Sequence, residues 1–226
     1  MISSFKQIKK RSNSAILILD KAITLDQYCT INLSTSNTEL QKIDIKNPNV
    51  CQRYIDLILN RNQAKVAFGG YLEKRNIYDN KANFFQNETK RNIHLGIDFW
   101  AKAGTKVIAP LDAQVHSFKN NTTIGDYGPT IVLQHEFGGD TFYTLYGHLS
   151  VASLKNISKG QLFKAGETIA TLGTTAINVN YAPHLHFQII LDMEEKEGDY
   201  PGVCSAVDLD FYSKNCPNPK LLLNYI

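Results

Sequence analysis

The sequence predicts a mainly β fold: an antiparallel β-sandwich or open barrel with a small mixed α/β segment at its N-terminus. Three observations carry this. Strand-like runs follow one another at close spacing from about residue 66 to residue 190. Turn residues separate them, and no helix-period stretch intervenes.

In the first 65 residues the texture is different. "SAILILD" (14–20) and "CTINLSTSN" (29–37) read as strands. "NPNVCQRYIDLILNRN" reads as a short helix. Asn47 is its cap, Pro48 suits the first turn, and Val50, Tyr54, Leu57 and Ile58 fall on one face. The polar patch "NRNQAK" (60–65) marks a joint, dividing the chain into an N-terminal segment (1–65) of unassigned role and a domain (66–226). In the domain, "AFGGYL" leads in and a polar loop (76–92) reaches "IHLGIDFW". The runs "TKVIAP", "AQVHSF", "PTIVLQHE", "TFYTLYGHLS", "QLFKAGETIATLG" and "HLHFQIIL" follow. Asn120-Asn121, Gly125-Asp126, Gly138-Gly139 and Lys159-Gly160 supply turns. "PGV" and "CPNP" then punctuate an irregular tail.

Bulk properties narrow the functional classes. At 226 residues, 43% hydrophobic and 20% charged, the chain is ordinary for a globular protein and not a disordered one. A net charge of +3 gives no argument for nucleic acid, and Lys9, Lys10 and Arg11 read as a solvated end. Ala15–Leu19 is too short for a signal-peptide core and Asp20 ends it. No run approaches the ~20 apolar residues of a membrane span, so the expectation is a cytoplasmic location with no membrane partner. Cys29, Cys51, Cys204 and Cys216 lack C-x-x-C spacing, which favours reduced structural thiols.

The six histidines are more informative. In "HLHFQII" (184–190) strand alternation points His184 and His186 the same way, at the head of an apolar run. His94 lies in "HLGID", with Asp98 four residues on, and His148 ends a strand in "LYGHLS". His116 and His135 have no obvious partner and read as ordinary strand residues. Catalytic zinc is held by three nitrogen or oxygen ligands, with a fourth position for water. His94, Asp98 and one histidine of the H-x-H pair make such a set, with Gly96 read as a bend that lets the first two converge. The pattern itself does not choose between His184 and His186. H-E-x-x-H is absent, so proton transfer falls to histidine: the other member of the pair, or His148.

At this point the chain resembles the lysostaphin/LytM-type zinc endopeptidases, β-rich peptidoglycan hydrolases. The likeness runs from about Gly69 to Ile190 through "HLGIDFWAKAGTKVIAPLDAQV", "TFYTLYGHLS", "KAGETIATLGTT" and "PHLHFQI". It implies one zinc per chain on His94, Asp98 and His186, with His148 and His184 as the two active-site histidines that are not ligands. It also implies metal-assisted hydrolysis of a peptide, peptidoglycan-derived or containing glycine. The other reading is a zinc-stabilised module that binds a peptide or partner without cutting it. Some latent members block zinc with an asparagine, and Asn76, Asn80 and Asn83 precede "HLGID". The flanks "FGGYLEKRNIY", "GDYPGVCSA" and "CPNPKLLL" resemble the peptidase-like module of kinase–peptidase–aminotransferase fusion proteins.

Overall fold

The structure is a computed structural model that describes residues 2–11, 14–76, 85–86, 89–123, 125–177 and 181–226. Its strands, in chain order, begin with β1 (Tyr28–Thr30), β2 (Val66–Gly69), β3 (Phe85–Gln86), β4 (Thr89–Lys90), β5 (Ile93–His94), β6 (Ile97–Trp100) and β7 (Lys106–Ile108). They continue with β8 (Ala113–Asn121), β9 (Gly128–Phe137), β10 (Asp140–Gly147), β11 (Leu162–Phe163), β12 (Thr168–Thr171), β13 (His184–Ile190) and β14 (Val203–Cys204). The helices are α1 (Ile2–Arg11), α2 (Pro48–Arg61) and α3 (Leu209–Asn215).

One eight-stranded sheet organises the molecule, in the order β1-β2-β6-β13-β10-β9-β8-β11. The fold is mainly β and open, as the spacing of the runs predicts, without closing into a barrel. All its pairings are antiparallel except β1 with β2. That parallel pair joins the N-terminal segment to the sheet and has α2 as its crossover, the connection a parallel pair requires. The β9–β10 hairpin turns on Gly138 and Gly139, whose φ values of 63° and 85° are those of a type I′ turn.

The two faces of this sheet do different work. Phe99, Leu185, Phe187, Ile189, Ile131 and Leu133 point to one side. They form an apolar core with the β7–β12 ribbon, which contributes Val107, Ile169 and Ala170. Phe5 and Ile8 of α1 join the same core, with the Phe5 ring edge-on to Phe142 at 4.9 Å. The opposite face carries Asp98, Trp100, His184, His186 and Gln188, by the strict alternation of β6 and β13. The β5–β14 pair and the chain beyond it cover one end of that face, around Leu95, Tyr200, Cys204 and Cys216. The N-terminal segment covers the other end, around Ile31, Cys51, Tyr54 and Trp100.

Several local expectations are corrected. Helix α2 is capped by Asn47, which accepts from the N–H groups of Asn49 and Val50. Its buried face is Cys51, Tyr54 and Ile55, while Leu57 is exposed. Residues 14–20 make a single bridge, Leu19 to Val107, because three-residue β7 offers little edge. The expected strand 29–37 stops at Thr30. Beyond it Asn32 and Ser34 side chains bond the N–H groups of Ser34 and Ser36, competing with a ladder. Asn120 and Asn121 are not a turn but the last rungs of β8. The stretch 76–92, read as loop, lies partly outside the described residues and includes β3 and β4.

Candidate metal centre

Strand register places the first two site residues. His186 on β13 lies directly opposite Asp98 on β6. His94 arrives from β5, a short strand set apart from β6 by Leu95 and Gly96. Gly96 is not needed for an unusual φ. A Cβ there would stand 2.8 Å from both Cε1 and Nε2 of His186 and 2.6 Å from the Phe187 carbonyl oxygen. The glycine is therefore required for close approach, which corrects its reading as a bend.

Three donor atoms converge. His94 Nε2 is 2.9 Å from His186 Nδ1. Each lies 3.2 Å from Asp98 Oδ1. Ligands about 2.0–2.1 Å from a tetrahedral ion are separated by roughly 3.3–3.4 Å, so the triangle has nearly the size of one face of such a site. The remaining nitrogens fix the tautomers. His94 Nδ1–H donates to the Gly70 carbonyl at 2.9 Å, and His186 Nε2–H donates to Gln188 Oε1 at 2.9 Å. Gln188 is itself oriented, its amide donating to the Pro201 carbonyl at 3.1 Å and to Cys216 Sγ. Two imidazole lone pairs and one carboxylate oxygen thus face one another in a buried space, an arrangement suited to a cation. Among the described residues, His94, Asp98 and His186 form the metal-competent group.

Electrostatics agree with the donor set. Burial, then the Arg75 charge, push the His94 imidazole down to about 4, so it is neutral near pH 7. Burial works against the charge of Asp98. The Arg75 guanidinium, paired with the outer oxygen of Asp98, outweighs it and holds the carboxyl well below the usual range.

His184 and His148 sit beside this centre with their rings 4.3 Å apart. His184 Nδ1–H donates to the Ala182 carbonyl at 2.9 Å, which turns Nε2 outward, and its ring stacks on Trp100 at 5.7 Å. Burial lowers its pKa. His148 is held with φ at 62°, a conformation side chains rarely adopt. Its N–H bonds the Tyr127 carbonyl at 2.8 Å and its carbonyl accepts from Gly173 at 2.9 Å, so the backbone is locked on both sides. Both histidines, with the triangle, line a cleft of about 410 Å³.

The sequence-level reading missed three residues here. Tyr127 is wedged over His186 with its hydroxyl 3.3 Å from Nε2, and glycines at 147 and 202 leave room for its ring. Gln188 continues the H-x-H alternation on the same face, so its position was readable. Arg75 carries no periodic signal. Of the asparagines considered as blocking groups, Asn76 is exposed, and Asn80 and Asn83 lie outside the described residues. His135 is a buried structural residue, bonded to the Asp112 carbonyl and Thr144 hydroxyl. His116 lies at a bulge in β8 beside Tyr143. Cys204 and Cys216 remain thiols. Among the described residues no helix is long and apolar enough to cross a membrane.

A β-rich scaffold that brings His94 to Asp98 and His186 on one sheet face defines a class of site suited to a metal ion, beside an open cleft. Residues 92–198 match the family model described as Peptidase family M23. A protein named "Uncharacterized metalloprotease" from Haemophilus influenzae is 39% identical over 42% of this chain and 18% of its own length. A "DD-carboxypeptidase/endopeptidase Mpg" from Neisseria meningitidis is 35% identical over 42% of this chain and 20% of its own. The chain therefore spans about a fifth of the length of these curated relatives. Among solved structures, the catalytic domain of lysostaphin from Staphylococcus simulans is 25% identical, covering 56% of this chain and 82% of that one, with a TM-score of 0.37.

Proposed function

We propose that this protein is a zinc-dependent endopeptidase, with His94, Asp98 and His186 as ligands and His148 and His184 as catalytic residues. The observation that carries the reading is the triangle of converging lone pairs at the base of a cleft, with two further imidazoles beside it. The domain proposed over 66–226 takes part of its cleft wall, Leu33 and Cys51, from the segment 1–65.

Zinc held there would polarise the scissile carbonyl and lower the pKa of a water from ~15.7 to ~7. The protein's own groups supply the rest. His184 Nε2, with its lone pair facing the cleft, accepts the proton of the attacking water and returns it to the leaving amine. His148, one ring away, donates to the carbonyl oxygen as negative charge develops on it. The buried residues around the triangle lower the local dielectric, which strengthens both interactions.

The substrate we propose is a peptide of the peptidoglycan type or one containing glycine, supported by the family match and by the name of a Vibrio cholerae relative, "Peptidoglycan DD-endopeptidase ShyC". Metal content per chain, measured with turnover of cross-linked wall peptides and glycine-rich peptides, tests it. The expected result is one zinc per chain and hydrolysis that His94→Ala abolishes. Zinc without turnover on either class would replace the enzyme with a binding module.

A further inference from the structure

Asp98 gives only one oxygen to the triangle. Its Oδ2 accepts from Arg75 Nη1 at 2.6 Å, and both side chains are 3% exposed. Arg75 is itself anchored: its Nε donates to Glu73 Oε2 at 2.6 Å. The other oxygen of Glu73 accepts the backbone N–H of Leu33 at 2.9 Å. The guanidinium carbon also lies 5.7 Å from the centre of the Trp100 ring. Gly70 makes the space, since a Cβ there would stand 2.0 Å from Arg75 Nη2.

A buried charge is tolerated only where it is paired, and an apolar side chain would fill this volume at lower desolvation cost. What an arginine adds is direction, because its planar fork fixes two acceptors at a set angle. Here one acceptor is Glu73 and the other is the outer oxygen of Asp98.

We propose that Arg75 is a positioning residue: by occupying Oδ2, it makes Asp98 meet the metal through Oδ1 alone. The chain of contacts Leu33–Glu73–Arg75–Asp98 makes residues ahead of the family-matched region part of the metal centre. This rests on the metal reading above. Without the guanidinium the carboxylate is free to turn and offer both oxygens, which adds a coordination position where substrate must bind. Partners of metal ligands at this distance typically change affinity 10–100-fold when removed.

The test is cobalt and zinc binding to the full chain and to Arg75→Met and Glu73→Gln, with circular dichroism reporting the fold. Glu73→Gln keeps an acceptor for Leu33 but removes the charge that anchors Arg75, and it serves if Arg75→Met does not fold. The expected result is a roughly 10–100-fold loss of affinity in Arg75→Met, less in Glu73→Gln. The cobalt visible spectrum should also weaken as coordination number rises, a change that loss of stability alone does not produce. Folded variants with wild-type spectra, or with tighter metal binding, overturn the positioning role alone. A wild-type chain that takes up neither metal overturns the metal centre as well.

Discussion

His94 Nε2 and His186 Nδ1 face each other across 2.9 Å while each ring's other nitrogen holds its proton against a fixed acceptor. Neither is placed to donate to the other, so the metal-free protein carries opposed lone pairs that a cation relieves. Zinc at 100 times its dissociation constant should stabilise the fold by about 2.7 kcal/mol. At roughly 2–4 °C per kcal/mol for a chain of this size, the melting temperature should rise by about 5–11 °C. Calorimetry with and without zinc checks this. His94→Ala should melt at the same temperature in both.

Gly96→Ala places a methyl group against the His186 ring and the Phe187 carbonyl, neither of which is the loose end of a flexible side chain. At 2.6–2.8 Å these contacts are too short to stand, so the ring must shift and the triangle opens. We expect zinc affinity to fall about 10–100-fold, comparable to losing a partner that orients a ligand. Competition with a chromogenic chelator measures it, and an unchanged dissociation constant would show that the strand can shift instead.

Much of this site was legible before the fold. Alternation put His184 and His186 on one face, and H-x-G-x-D placed an imidazole and a carboxylate near each other. What alternation leaves open is which histidine turns its lone pair inward. That depends on Gln188 and on the Ala182 carbonyl, the one two residues after His186 and the other two before His184. Arg75 was not readable because its role depends on three-dimensional proximity to Asp98, 23 residues away. The parallel β1–β2 pair escaped for a related reason. Its register is long-range, and Tyr28–Thr30 is too short to show a period. The exposure of Leu57 shows the opposite limit, a clear helical period whose buried face is set by what packs on it.

His148 holds a left-handed conformation, and side chains other than glycine pay about 1–2 kcal/mol for that. Alanine and glycine at this position both remove the imidazole, but only alanine keeps the strain. Allowing about 0.5–1 kcal/mol for the greater chain entropy of glycine, His148→Gly should be more stable than His148→Ala by roughly 0.5–1 kcal/mol. Both variants should bind zinc and lose about 10²–10⁴ in hydrolysis rate. Urea unfolding paired with peptide turnover separates the two effects. Equal stabilities would argue that the locked backbone has relaxed in the alanine variant.

Acid sensitivity should trace in part to His135, which lies far from the triangle in role and is buried between the Asp112 carbonyl and Thr144. Burial lowers its pKa from 6.5 to about 4, although the Asp112 carbonyl opposes the shift. Folded His135 is therefore neutral where the unfolded chain has already taken up a proton. Its contribution is fully present above pH 6.5, declines as pH falls towards 4, and is exhausted below that. At about 1.36 kcal/mol per pKa unit, the full loss is roughly 3 kcal/mol. His135→Gln removes the titration. In metal-free urea melts, the stability difference between the two proteins should move in the variant's favour by up to that amount between pH 7 and pH 4. A difference independent of pH would mean that His135 is protonated in the fold or reached by water.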